Sequence, residues 1–254
     1  MITISGHSKW STIKRKKGST DAKRGQIFTK FGKEIAIAAR EGGPDPDSNY
    51  KLRLVVDKAK AVNMPKDNIE RAIRRGAGLE KADALEEIMY EGYGPHGVAV
   101  MVHVVTDNRN RALSDIRRIF NRLGGAMGEA GCVAWQFEER GYLTIETNGR
   151  DPDEIFNIAV EYGADDVALG SDLIEVFTAP ESFETVREAL EGRGISLASA
   201  EITTMPKTTV SLDDKQAFQN MNLINGLEDL DDVQEVFTNL DISDELMAKF
   251  EEQD

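Results

Sequence analysis

The residues best equipped for chemistry lie near the start of the chain, in Gly6-His7-Ser8-Lys9-Trp10-Ser11-Thr12-Ile13-Lys14-Arg15-Lys16-Lys17. Lysine and arginine neutralise phosphates and release counterions, so a run of this kind suits a polyanion. His7 and Trp10 interleave with Lys9 and Lys14, and an aromatic ring beside cations can stack on an exposed base. Trp10 can equally be a core anchor that pins the basic arm to the rest of its domain. Lys23, Arg24 and Lys30 continue the run: residues 1–33 hold nine Lys/Arg against one acid, Asp21. Residues 1–75 carry a net +10 and the other 179 residues −24, within a whole of −14. A molecule divided in this way attracts a polyanion at one end and repels it elsewhere. An acidic protein has no need of such a run for solubility.

A second candidate is the loop Thr106-Asp107-Asn108-Arg109-Asn110-Arg111. It joins a strand end to a helix start, where free N–H groups and the positive dipole end favour a phosphate. Arg109 and Arg111 would add charge-assisted hydrogen bonds, and Arg117, Arg118 and Arg122 follow on the helix. The plainer reading is that Asp107, Asn108 or Asn110 caps that helix.

Catalytic signatures are lacking. His7, His96 and His103 have no second ligand-type residue at a metal spacing, and no nucleophile-elbow, phosphate-loop or dinucleotide-binding glycine pattern occurs. His103, inside a strand, reads as a satisfied sheet-face histidine. The single Cys132, in the apolar run Cys132-Val133-Ala134-Trp135, excludes an intramolecular disulfide and reads as a buried small hydrophobe. The acidic run Glu228-Asp229-Leu230-Asp231-Asp232 at a helix end reads as a solvated face. No apolar stretch approaches a bilayer span and no apolar signal core opens the chain, so a cytoplasmic location is expected.

The elements that must position these residues follow from periodicity. Asp21 is a plausible N-cap for a helix to about Arg40, with Phe28, Phe31, Ile35 and Ala39 as its stripe. Asn49 to about Val62 repeats the pattern, and Pro65 opens a short helix closed by Gly76. After Gly78 the composition changes: strands are expected at Ile88–Tyr93 and Val98–Val105, the second covered on both faces. A helix to about Leu123 and a strand over Val133–Phe137 follow. Beyond Gly141 the pieces suggest a βαββαβ sandwich of ferredoxin-like type. Thr208–Leu212, a helix from Asp213 and Val233–Thr238 cannot bury a core alone, so they are expected to return and complete the sheet begun near Leu79.

Gly6-His7-Ser8-Lys9-Trp10, Asp21-Ala22-Lys23-Arg24-Gly25 with Ile27-Phe28-Thr29-Lys30, Asn63 through Ile73, Tyr90-Glu91-Gly92-Tyr93-Gly94-Pro95 and Thr106 through Arg111 together resemble the YebC/PmpR family. The resemblance runs from Gly6 to about Ile242. It implies an α+β fold of three domains, an N-terminal helical bundle and two α/β domains of ferredoxin-like type, the middle one discontinuous. The expected boundaries are 1–78 for the basic bundle, 79–138 with 206–242 for the middle domain, 139–205 for the inserted domain and 243–254 for an acidic tail, either a terminal helix or a frayed end. One departure is Phe31-Gly32-Lys33-Glu34, where a glycine inside the helix costs on the order of 1 kcal/mol relative to alanine and allows a bend.

The family implies a non-enzymatic nucleic-acid-binding regulator of gene expression, a DNA-binding transcriptional regulator of the YebC type. Relatives that act on translation, a mitochondrial activator of cytochrome oxidase synthesis among them, imply an alternative: a translation factor on the ribosome that binds ribosomal RNA and assists elongation. The expected partner is nucleic acid, DNA or ribosomal RNA, with no membrane, small-molecule substrate, metal or cofactor. Its expected contacts are His7, Lys9, Trp10, Lys14, Arg15, Lys16, Lys17, Lys23, Arg24, Lys30, Arg109 and Arg111.

Overall fold

A computed structural model describes residues 21–80, 84–147, 151–170 and 173–252. The described residues divide into two compact units, one built from residues 21–134 together with 210–252, the other from Trp135–Thr209.

Among the described residues the first unit begins with the helices α1 (Asp21–Gly42), α2 (Tyr50–Ala61) and α3 (Lys66–Gly76). Phe31, Ile35, Ala38 and Ala39 of α1 bury against Leu52, Val56 and Ala59 of α2 and Ile69 and Ala72 of α3. Asn49 locks the first corner. Its Oδ1 accepts from Leu52 N at 3.1 Å, and its Nδ2 donates to Ala38 O and Gly43 O at 2.8 Å each. α1 runs as one helix through Gly32. Gly76 does more than end α3. A Cβ there would lie 2.2 Å from the Ala36 carbonyl oxygen, so its absence lets α3 press against the backbone of α1.

The chain continues as β1 (Glu86–Tyr93), β2 (Ala99–Thr106), α4 (Arg109–Arg122) and the two-residue β3 (Ala126–Met127). The second unit follows as β4 (Phe137–Glu146), α5 (Pro152–Glu161), β5 (Ala164–Leu169), β6 (Leu173–Thr178), α6 (Phe183–Gly192) and β7 (Ser199–Pro206). The chain then returns to the first unit with α7 (Asp214–Glu228), β8 (Val233–Thr238) and α8 (Asp244–Glu251).

The first unit's antiparallel sheet has the order β3-β1-β2-β8, with Val102 of β2 opposite Val236 of β8. Val98, Val100, Val102 and Val104 pack with Ile116 and Phe120 of α4 and Met221 and Ile224 of α7. On the opposite side Val105 packs with Ala36 and Ile37 of α1 and with Leu85. Coverage by helices on both faces explains why β2 is apolar at almost every position. Of the two forms expected after Ser243, the described residues take the terminal helix rather than a frayed tail, and it is packed: Leu246, Met247 and Phe250 of α8 are buried in the same core. Their spacing places three apolar side chains on one helical face, and burying them outweighs the repulsion among the acids beside them.

The second unit has the sheet order β5-β6-β4-β7, the ferredoxin-like arrangement. It is a few residues wider than 139–205, because β4 starts at Phe137 and β7 reaches Pro206. The Tyr142 hydroxyl donates to the Glu175 carboxylate across β4 and β6, and burial together with that charge pushes the phenol's pKa well above its usual value. The strand expected over Val133–Phe137 is absent, replaced by a short 3₁₀ turn at Ala134–Gln136. The cause is Glu91, whose buried carboxylate accepts from Gly131 N at 2.7 Å and from Val133 N and Ala134 N at 2.8 Å each. Amides held by a side chain cannot also serve a strand ladder.

Candidate nucleic-acid interface

α1 turns a polar face toward the C-terminal end of α7. Gln26, Lys30 and Lys33 are spaced at i, i+4 and i+7, which aligns them on one side of the helix. A helix C-terminus leaves carbonyls without intrahelical partners and carries partial negative charge, so cations are favoured there. Lys30 Nζ donates to Glu228 O at 2.6 Å, Gln26 Nε2 to Asp229 O at 2.7 Å, and Lys33 Nζ to Asp231 O at 2.9 Å. Lys33 Nζ also reaches Asp232 Oδ1 at 2.6 Å, with both side chains largely buried.

Arg111 takes the other side of the same carboxylate. Its Nε and Nη2 lie 3.1 and 2.8 Å from Asp232 Oδ2, and Nη2 also meets Asp107 Oδ1 at 2.9 Å. Burial by itself would push the Asp232 carboxyl's pKa upward. The hydrogen bonds and charges of Lys33 and Arg111 more than offset it and hold the group below the usual aspartate range. The carboxylate in turn raises the Arg111 guanidinium further. A cleft of about 550 Å³ beside this junction is lined by Thr29, Lys33, Arg111, Asp115, Asp229 and Asp231. Asp229 and Asp231 are exposed, as a solvated face would have them, while the backbone carbonyls of the run and the buried Asp232 carboxylate receive the basic helix, so the solvated-face expectation is corrected at Asp232.

The expected contacts are placed unequally. His7, Lys9, Trp10, Lys14, Arg15, Lys16 and Lys17 lie outside the described residues, as does the side chain of Lys23. Arg24 and Arg109 are exposed to solvent. Lys30 and Arg111 are engaged within the chain as just described. The loop before α4 is closed by capping: Asn108 Oδ1 accepts from Arg111 N at 3.1 Å, and Thr106 Oγ1 from Asn108 N at 3.0 Å. The capping reading of this loop is thus realised, while Arg111 turns toward Asp232.

Other singled-out residues have structural work. His103 of β2 hydrogen-bonds Glu87 of β1 at 2.7 Å, which satisfies it on the sheet face. Cys132 is half-buried and its carbonyl accepts from Tyr93 Oη at 3.0 Å. Burial, with the charge of Glu91, pushes its thiol's pKa up. Sequence reasoning passed over Glu91 and Asp232. A lone acid inside the apolar stretch Ile88–Tyr93 was the available signal for the first. The second offered none, because its partners lie 199 and 121 residues away.

Among the described residues no helix is long and apolar enough to cross a membrane. Residues 8–79 match the TACO1/YebC protein N-terminal domain, and residues 85–240 match the TACO1/YebC second and third domain. A protein of Trichlorobacter lovleyi named "probable transcriptional regulatory protein" is 55% identical over 246 residues, covering 97% of this chain and 99% of that one. One of Herpetosiphon aurantiacus with the same name is 51% identical, covering 98% and 100%. The crystal structure of a conserved hypothetical protein from Aquifex aeolicus aligns with a TM-score of 0.78 at 44% identity, covering 87% of this chain and 91% of that one. With both domain descriptions matched in order and half-identical relatives along nearly its whole length, the chain belongs to the TACO1/YebC family.

Proposed function

We propose that this protein is a non-enzymatic, cytoplasmic nucleic-acid-binding regulator of gene expression, acting on DNA as a transcriptional regulator. The observation that carries the reading is the charge division: +10 over residues 1–75 against −24 over the rest. Counterion release from phosphates supplies affinity to such a surface without base recognition. Arg24 and Arg71 of the bundle and Arg109 of α4 are exposed. The names of the relatives support the regulatory role.

One observation favours ribosomal RNA as the alternative target. A helix that reads bases in the major groove presents donors and few carboxylates. α3 mixes both: Lys66 pairs with Glu70 on the helix at 3.5 Å, and Arg74 pairs at 2.8 Å with Glu80 just beyond its end. Binding through backbone and shape, as with structured RNA, tolerates such a mixture better. In-cell ultraviolet crosslinking of the tagged protein, with sequencing of attached DNA and RNA, separates the two. Enrichment at a few promoters is the expected result. A single ribosomal RNA peak would move the protein to translation, and no crosslinks to either would overturn nucleic-acid binding.

A further inference from the structure

The sheet domain of the first unit distributes its cations very unevenly. Across residues 84–134 and 210–252 the chain has 18 Asp/Glu and only seven Lys/Arg, and five of the seven sit on α4. All five are arginine: Arg109, Arg111, Arg117, Arg118 and Arg122. Ala112, Ile116, Ile119 and Phe120 bury the inner face of α4, which fixes the other side toward water. That outer side consists of Asn110, Ser114, Arg117, Arg118, Asn121 and Arg122, all exposed. Arg118 pairs with Asp115 at 3.0 Å and Arg111 with Asp232, whereas Arg109, Arg117 and Arg122 have no ion-pair partner among the described residues. A face kept for solubility would mix signs evenly. This one combines unpaired guanidinium groups with amide and hydroxyl side chains, the donor set that grips phosphodiester oxygens.

We propose that the outer face of α4 is a second nucleic-acid contact, separate from the basic N-terminal run, with Arg117 and Arg122 each holding a backbone phosphate and Asn110, Ser114 and Asn121 adding hydrogen bonds. The fourteen residues of α4 extend about 21 Å, enough to follow several consecutive phosphates. In an acidic domain this helix is the only positively charged approach that the described residues offer, so it also sets which side of the domain faces the polymer. The proposal rests on the nucleic-acid-binding reading above and extends it to a named surface.

The test is fluorescence anisotropy of the full-length protein with a labelled duplex DNA and a labelled RNA hairpin of equal length, each over a salt series. Arg117→Gln/Arg122→Gln is compared with wild type and with Lys215→Gln, a cation elsewhere in the same domain. The double variant should bind at least tenfold more weakly, with the slope of log K against log salt shallower by about 2 on DNA or slightly less on RNA. Lys215→Gln should match wild type. The polymer that shows the loss identifies the source of the phosphates. Wild-type binding with an unchanged slope in the double variant, its thermal unfolding also unchanged, would overturn the α4 contact alone. Failure of wild type to bind either polymer would overturn the functional reading, and this contact with it.

Discussion

Lys33 Nζ lies 2.6 Å from Asp232 Oδ1, joining the basic helix of the N-terminal bundle to the acidic turn that ends α7. The pair is largely shielded from water, and Arg111 approaches the same carboxylate from α4. Desolvating a charge is costly, and here two cations and one anion offset that cost together. Asp232→Asn would leave Lys33 facing a neutral amide in a buried place. The expected loss is on the order of 3 kcal/mol, the lower end for a broken buried pair because Arg111 stays half-exposed. The urea midpoint checks this, and Lys33→Met combined with Asp232→Asn should lose less than the two single losses added. Because Asp232 is held below its ordinary range, its contribution is present above that range and is lost as pH falls through the lowered value.

Glu91→Gln tests how the loop Gly128–Ala134 is kept in shape. Oε1 accepts from Gly131 N, and Oε2 accepts from both Val133 N and Ala134 N. Burial alone would raise the carboxyl's pKa, yet the three amides bring it below the usual range, so the charged form is the one that fits. A glutamine has one acceptor oxygen and must point an NH₂ at a backbone N–H. A loss of roughly 2–3 kcal/mol is expected. Amide hydrogen exchange at Gly131, Val133 and Ala134 should accelerate more than exchange in β2; equal acceleration throughout would mean that Glu91 does not pin this loop.

The two acids also mark the limit of what the chain's order discloses. The stripe Phe31, Ile35 and Ala39 and the unbroken valines of β2 announce their burial, because each depends on local period. The α+β class and the charge division of the molecule are legible for the same reason. Asp232 is not, since its meaning comes from cations supplied by two other elements. The return of β8 to the sheet begun at Glu86 follows from the three C-terminal pieces being too few to bury a core, whereas the acids flanking Leu246, Met247 and Phe250 hide that the terminal helix is packed. Of the candidate site, the basic character is readable, whereas the side chains withdrawn from it are not. Nothing near Lys30 or Arg111 signals that α7 and Asp232 will engage them.

Gly76→Ala should disturb the bundle without touching its charge. The added methyl would lie 2.2 Å from Ala36 O, and a backbone carbonyl inside α1 cannot rotate aside as a flexible side chain would. α3 would have to move away from α1, at about 1–3 kcal/mol or more. Gly32→Ala is the contrasting substitution, since apart from its chain neighbours and the adjoining turns of its own helix backbone no atom lies within 4 Å of its added methyl. Removing a mid-helix glycine there should stabilise α1 by up to about 1 kcal/mol. Thermal unfolding of the two variants should therefore shift in opposite directions.

His103 should make stability depend on pH around neutrality. Glu87 bonds it from β1, Glu235 is its cross-strand neighbour on β8, and Glu34 of α1 adds its charge. Burial opposes the imidazolium, but the Glu87 hydrogen bond and the three carboxylates prevail, and the pKa is raised. A group whose folded value lies above its unfolded one stabilises fully below the unfolded value, about 6.5 for histidine, and loses that contribution as pH rises through the folded value. Glu87 acts in the opposite window, since its lowered value contributes above the ordinary glutamate range and fails on acidification. His103→Gln keeps a polar group opposite Glu87 but carries no charge. In urea titrations at pH 6 and pH 9, wild type should exceed the variant by more at pH 6 than at pH 9. An equal gap at both would show that the imidazole binds its proton equally well folded and unfolded, and a smaller gap at pH 6 that it is kept neutral in the fold; either would mean that the three carboxylates do not hold its charged form.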